Sequence, residues 1–324
     1  MLHVRIACPS RLTDATVAAL RATSGVATIA IARGASLVPD GDVLECDIVR
    51  EASNDVLATL RAMDTDRELV TSIVEVEAVG SRAMRDVEAA APGHEADAMP
   101  WALIEADARL SAEPSATFFV LMALASVIAA IGIVLDSAVL IIGAMIVGPE
   151  YGPITAMAVG LHRRRRFWRS AAALLVSGLV VAILAAAGFA LLARLFGEPD
   201  RVFAPTSRFF TAFVTDPNAY SAIVAFVAGI AGTIALARSQ ATVVAGVLVS
   251  VTTIPAAAAV GVGLATAHWG DAGDGAIQLG INVAAILLAI LVTLSVYDRL
   301  WSRSTRTRVV VQGRNDDRGR STSS

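Results

Sequence analysis

The chain has 324 residues, 56% of them hydrophobic and only 17% charged, with a formal net charge of −3 and a mean hydropathy of +0.66. About a quarter of the residues in a soluble globular domain are charged, so this balance excludes a wholly soluble chain and points to a membrane protein. The acidic balance also argues against nucleic acid as a partner, because such a binder carries a basic face that replaces phosphate counterions.

From the start, HVRIAC alternates around Val4, Ile6 and Cys8, and SRLTDATVAALRAT sets Leu12, Val17 and Leu20 at helical spacing before Gly25. The runs VATIAIA and DVLECDIV are two more strands joined at PDGD. A second helix, SNDVLATLRAMD, is expected to start from Ser53 or Asn54 as N-cap, and it leads to a fourth strand, SIVEVEAV. The order βαββαβ is the ferredoxin-like pattern over residues 1–80. Cys8 and Cys46 lie at no metal-like spacing and are expected to be buried, unpaired thiols. This pattern assigns no activity, and the head can be a dimerising or regulatory appendage or a small-ligand sensor. No signal peptide is expected, since no apolar core follows a basic start.

Residues 81–114 are expected to form a linker, rich in Ala, Glu and Pro, followed by an amphipathic helix in WALIEADARLSAEPS with Trp101, Ile104 and Ala108 on one side. The HEADA at His94 lacks the second His of a zincin motif.

Six apolar segments over residues 115–302 are long enough to span hydrocarbon: Ala116–Leu135, Ala138–Leu161, Ser170–Phe196, Asn218–Ala237, Ala241–Ala265 and Ala276–Tyr297. Arginines follow spans two, four and six, with Arg163, Arg164, Arg165 and Arg166 as the main topology anchor, while HWGDAGDG between spans five and six carries none. Both termini are therefore expected on the cytoplasmic side of an inner (plasma) membrane. The GDAGDG sequence is expected to be an exposed turn, since it matches neither an EF-hand nor an intramembrane protease. The tail, residues 303–324, is expected to be disordered. The four His residues fall in four different segments. No metal, cofactor or catalytic constellation is visible, and the chain is not expected to be an enzyme.

Within span two, GAMIVGPEYGPIT (Gly143–Thr155) puts two prolines, two glycines and a glutamate after Met145 where lipid favours continuous helix. Sliding span two onto span five by about a hundred positions aligns Val159–Leu161 with Val262–Leu264 and lays GPEYGP on VTTIPA. A 3+3 inverted repeat with broken helices at its second and fifth positions is the best pointer to a midplane site. Proline kinks that merely let helices pack closely are the alternative. The candidate site comprises Gly148, Pro149, Glu150, Tyr151, Gly152 and Pro153 from one half and Thr252, Thr253, Ile254 and Pro255 from the other. Asn282 is added to it from span six, next to Gln278; interhelical hydrogen bonding is the stronger explanation of both, and site lining the lesser one. An ionisable group inside a span is a functional candidate by default, so Glu150 is expected to coordinate a proton or cation.

The stretch Ile142–Ile154, IGAMIVGPEYGPI, is similar to the IGAMLISPLMGPI typical of the membrane family called domain of unknown function 389. The run from Asp216 to Arg238, Pro255 and Asn282 resemble the same family, over about residues 115 to 300. The resemblance implies a fold and a membrane location but no reaction or substrate. Glu150–Tyr151 departs from the family's apolar pair, and Ala256 stands where a second proline is common. The leading expectation is an inverted-repeat membrane protein, homo-oligomeric in the bilayer, that binds or moves a small solute or ion. The alternative is a non-transporting scaffold or sensor.

Overall fold

The computed structural model describes residues 1–64, 68–76, 100–196, 219–237 and 253–321, with side chains as far as Arg299. The chain divides into two compact units, Met1–Ile104 and Glu105–Ser324.

In the first unit β1 (Leu2–Cys8), β2 (Val26–Leu37), β3 (Asp40–Ile48) and β4 (Val70–Glu75) form one antiparallel sheet in the order β2-β3-β1-β4. Helices α1 (Ser10–Ala22) and α2 (Ser53–Met63) connect β1 to β2 and β3 to β4. Period-two patterning puts Leu2, Val4, Ile6 and Cys8 on one face of β1, with Leu44, Cys46 and Ile48 on the same face of β3. These side chains form the core together with Leu20, Val56 and Leu60. The two thiols are buried and free. The Val38–Pro39 peptide is cis at the β2–β3 turn. Gly41 takes φ +151°, where a Cβ would lie 2.2 Å from the Cys8 carbonyl.

The expected N-cap of α2 is not made. A short 3₁₀ turn, Arg50–Ala52, leads into the helix, and Ala52 occupies the cap position without a side-chain bond. The Ser53 hydroxyl instead donates to the Arg50 carbonyl at 2.7 Å. Asn54 Oδ1 accepts the Trp101 amide at 3.2 Å, so it serves the start of α3 (Trp101–Leu110). The more prominent buried polar group is Asp42, only 2% exposed. Its carboxylate accepts from the Gly34 amide at 2.8 Å, the Thr13 hydroxyl at 2.7 Å and the Ser10 hydroxyl at 3.1 Å.

The second unit is helical. Among the described residues four helices are long and apolar enough to cross a membrane: α4 (Ala116–Val134), α7 (Trp168–Leu195), α8 (Ala219–Ala237) and the first part of α10 (Trp269–Ser321). The pair α5 (Ala138–Val147) and α6 (Tyr151–His162) meets the same standard as one span bent by 50°. Helix α9 (Thr253–Ala265) is shorter; the first part of expected span five, with Thr252, lies outside the described residues. With up to five such helices, this is a membrane protein.

Every residue of α9 from Thr253 to Gly263 is buried, so this helix runs through the middle of the unit. It packs on α4, α5, α7 and α10. Small residues permit the close approach: a Cβ on Gly261 would stand 2.3 Å from the Ile183 carbonyl of α7. Ser126 of α4 donates to the Ala182 carbonyl of α7 at 2.6 Å.

Three tight turns share one geometry. After α4, α6 and α9 a residue enters the left-handed region, Asp136 (φ 49°), Arg164 (φ 52°) and Ala267 (φ 59°). The next amide reaches back to close the helix: Ser137 to Gly132 at 2.8 Å, Arg165 to Gly160 at 2.8 Å, and His268 to Gly263 at 2.9 Å. This is the Schellman bond pattern.

One expectation is corrected in α10. Its helix begins at Trp269, so GDAGDG is helical instead of an exposed turn; the turn occupies residues 266–268. Asp271 supplies an acidic group to the first helical turn, and Gly275 fits tightly against Ala256 and Val260 of α9. The helix bounds run on to Ser321.

Candidate functional site

The site begins with a proline rule. The residue before a proline is forced away from helical geometry, and Gly148, ahead of Pro149, is extended at φ −67°, ψ 126°. Helix α5 therefore stops at Val147, and α6 restarts after Glu150, which holds its N-cap position. Pro153 does not kink a helix interior: it falls in the first turn of α6, where the missing N–H has no intrahelical partner anyway.

At the break Glu150 is only 3% exposed. Thr253 Oγ1 of α9 donates to Glu150 Oε1 at 2.5 Å. The other carboxylate oxygen, Oε2, is buried with no hydrogen-bond partner among the described residues. Gly148 is required here: a Cβ would lie 2.4 Å from Glu150 Oε2 and 2.6 Å from Ile254 Cγ1. Along α6, Tyr151 Oη and Thr155 Oγ1 are also buried, with Thr155 and Thr233 beside the Tyr151 hydroxyl.

Of the residues expected to form a site, the structure brings Gly148, Glu150, Thr253 and Ile254 together. Pro153 and Pro255 are buried, Pro153 where its helix begins. Tyr151 turns to α8, its hydroxyl standing where a Cβ on Gly232 would be 2.0 Å away. Gly152 has only ordinary contact with Ser111, at 3.5 Å for a built Cβ, so close approach does not explain it. Asn282 joins a separate polar group: Gln278 Nε2 donates to Ser221 Oγ at 2.6 Å and to Asn282 Oδ1 at 3.4 Å. Gln278 thus links α10 to α8 through Ser221, while its bond to Asn282 lies within α10. Ser221 and Gly232 carry no local sequence signal that marks them, being one small residue each in an apolar run.

The four anchor arginines occupy the turn between α6 and α7. Arg163 Nε donates to Glu105 Oε1 at 2.9 Å, and Arg165 lies 3.3 Å from the same carboxylate. Beside them His162 Nε2 and Asp298 Oδ2 are 2.6 Å apart, tying the end of α6 to α10.

Residues 145–288 match the family model described as Domain of unknown function (DUF389). The match starts within α5, just before the break, and ends within α10, so it contains Glu150, Thr253 and Asn282. No curated protein and no solved structure matches the chain.

Proposed function

With residues 145–288 identified as a DUF389 domain, we propose that this membrane protein binds, and carries across the bilayer, a proton or small cation at Glu150. One observation carries the reading: a carboxylate sealed at a helix break keeps one oxygen bonded to Thr253 and the other without a hydrogen-bond partner among the described residues. Burying a bare carboxylate oxygen costs several kcal/mol, roughly, unless a proton or cation supplies the partner.

We read the domain as six spans in a 3+3 inverted repeat. Its support is the spacing of 103 between Glu150 and its partner Thr253, which also separates Arg164 from Ala267 and the Arg165–Gly160 bond from the His268–Gly263 bond. Residues related by a pseudo-two-fold axis meet one another only on that axis. We read the head as ferredoxin-like, from its strand order β2-β3-β1-β4, the termini as cytoplasmic in an inner membrane, and the assembly as a homo-oligomer without enzymatic activity.

The test is flux in proteoliposomes loaded with a pH-sensitive dye, under an imposed proton gradient or a Na⁺ jump. Wild-type protein should collapse the gradient, Glu150→Gln should abolish this while leaving the protein folded, and Glu150→Asp should retain part of it. A second reading, a scaffold or sensor, draws on the same burial, since packing alone also demands a sealed carboxylate. It requires that Glu150→Gln leave vesicle flux at the protein-free level seen with wild type.

A further inference from the structure

A second site, apart from the helix break, lies at the turn between α6 and α7. A cavity of about 490 Å³ is lined by Leu161, Arg164, Arg165, Arg166, Trp168 and Arg169. Its described lining has four arginines and no acidic residue. Arg165 shares Glu105 with Arg163, and the Arg169 guanidinium stands 5.6 Å above the Trp168 ring. Arg164 and Arg166 make no ion pair among the described residues. Helix α7 starts at the cavity wall with no side-chain cap and no acidic residue in its first turn, so its positive pole adds to the arginines.

The apolar surroundings select the ligand. On the same helix, Val176, Val180 and Leu184 are exposed at 61%, 49% and 64%, and their four-residue spacing makes an inclined ridge that begins about 80° round the helix from Trp168. From Trp168 to Val180 the helix rises about 18 Å, against roughly 15 Å for half of a bilayer's hydrocarbon. Tryptophan is the residue expected at headgroup depth. We propose that this cavity holds the phosphate of an anionic glycerophospholipid, with Arg164, Arg166 and Arg169 as its ligands and the acyl chains laid along Val176, Val180 and Leu184. Guanidinium forks suit phosphate oxygens because they offer paired donors.

The test uses the full chain in neutral detergent, titrated with phosphatidylglycerol, with phosphatidylcholine of the same acyl chains, and with inorganic phosphate, and read by native mass spectrometry. Phosphatidylglycerol should bind at least about tenfold more tightly than phosphatidylcholine, and the triple variant R164Q/R166Q/R169Q should weaken it on the order of a hundredfold. The variant R164K/R166K/R169K keeps the charge that sets topology and should weaken binding by about fivefold through loss of paired donors. The proposal is overturned by equal affinity for the two lipids, by unchanged affinity in the Lys variant, or by displacement of the lipid with millimolar inorganic phosphate. That last result would mark a free-anion site.

Discussion

The Thr253 hydroxyl is bonded to Glu150 at 2.5 Å, joining two residues 103 positions apart in the chain. The same interval separates two left-handed residues, Arg164 and Ala267, and the two backbone bonds that close the ends of α6 and α9. Both helices end in one common turn. The bond ties the break before α6 to α9.

Thr253→Val keeps the side chain's shape and removes the hydroxyl, leaving both Glu150 oxygens bare. A buried group stripped of its partner costs about 1–3 kcal/mol. Thermal unfolding of the full chain in detergent should show that loss, and Thr253→Ser should recover most of it. Equal stability of the Val and Ser variants would mean the bond contributes nothing.

Two glycines should respond in opposite directions. Gly261→Ala forces a Cβ to within 2.3 Å of the Ile183 carbonyl, whereas Gly143 has nothing within 4 Å. The first substitution should destabilise by about 1–3 kcal/mol through overpacking, and the second should be neutral or stabilise by up to about 1 kcal/mol through backbone entropy. Denaturation midpoints of the two variants decide this directly.

In the head, the Gly34 amide first, and the Thr13 hydroxyl next, hold the Asp42 carboxyl below its ordinary 3.8, against the opposing effect of burial. A depressed folded-state value contributes stability that is fully present above the unfolded value and is lost as pH falls through the folded one. Protection factors of residues 1–64 in the intact protein, taken against the intrinsic exchange rate at each pH, should therefore fall in acid below about pH 4. Asp42→Asn should flatten that dependence while exchanging faster at neutral pH.

Cys46 is 1% exposed, and burial, with Asp47 adjacent, pushes its thiol up to about 11. The thiolate is the reactive form, so a maleimide at pH 7 should label neither Cys46 nor the equally buried Cys8 in the folded protein. Both should react once it is denatured. Rapid labelling of native protein would contradict the sheet register that sets both side chains in the core.

Local chemistry makes much of this molecule legible in its sequence. The apolar runs declare membrane helices because hydrocarbon cannot satisfy a bare backbone. The alternation in Val4, Ile6 and Cys8 declares a strand with one buried face. The break at Gly148–Pro149 follows from the proline itself. Where the reading fails, competing local options had similar energies. Ser53 and Asn54 both have cap chemistry, yet a preceding 3₁₀ turn shifted the helix start by a residue and freed Asn54 for Trp101. The glycines and aspartates after His268 have turn chemistry, yet packing of Gly275 against α9 keeps them helical.

Composition and periodicity by themselves determined that this chain enters a membrane, where its second span breaks, and that an ionisable residue lies at the break. Only the tertiary structure decided which oxygen of Glu150 is satisfied, that Tyr151 faces Gly232, and that Asn282 belongs to a different polar group. The reason is physical: a proline acts on its neighbours through the chain, whereas the partner of a buried carboxylate is chosen by helices that meet across a hundred residues.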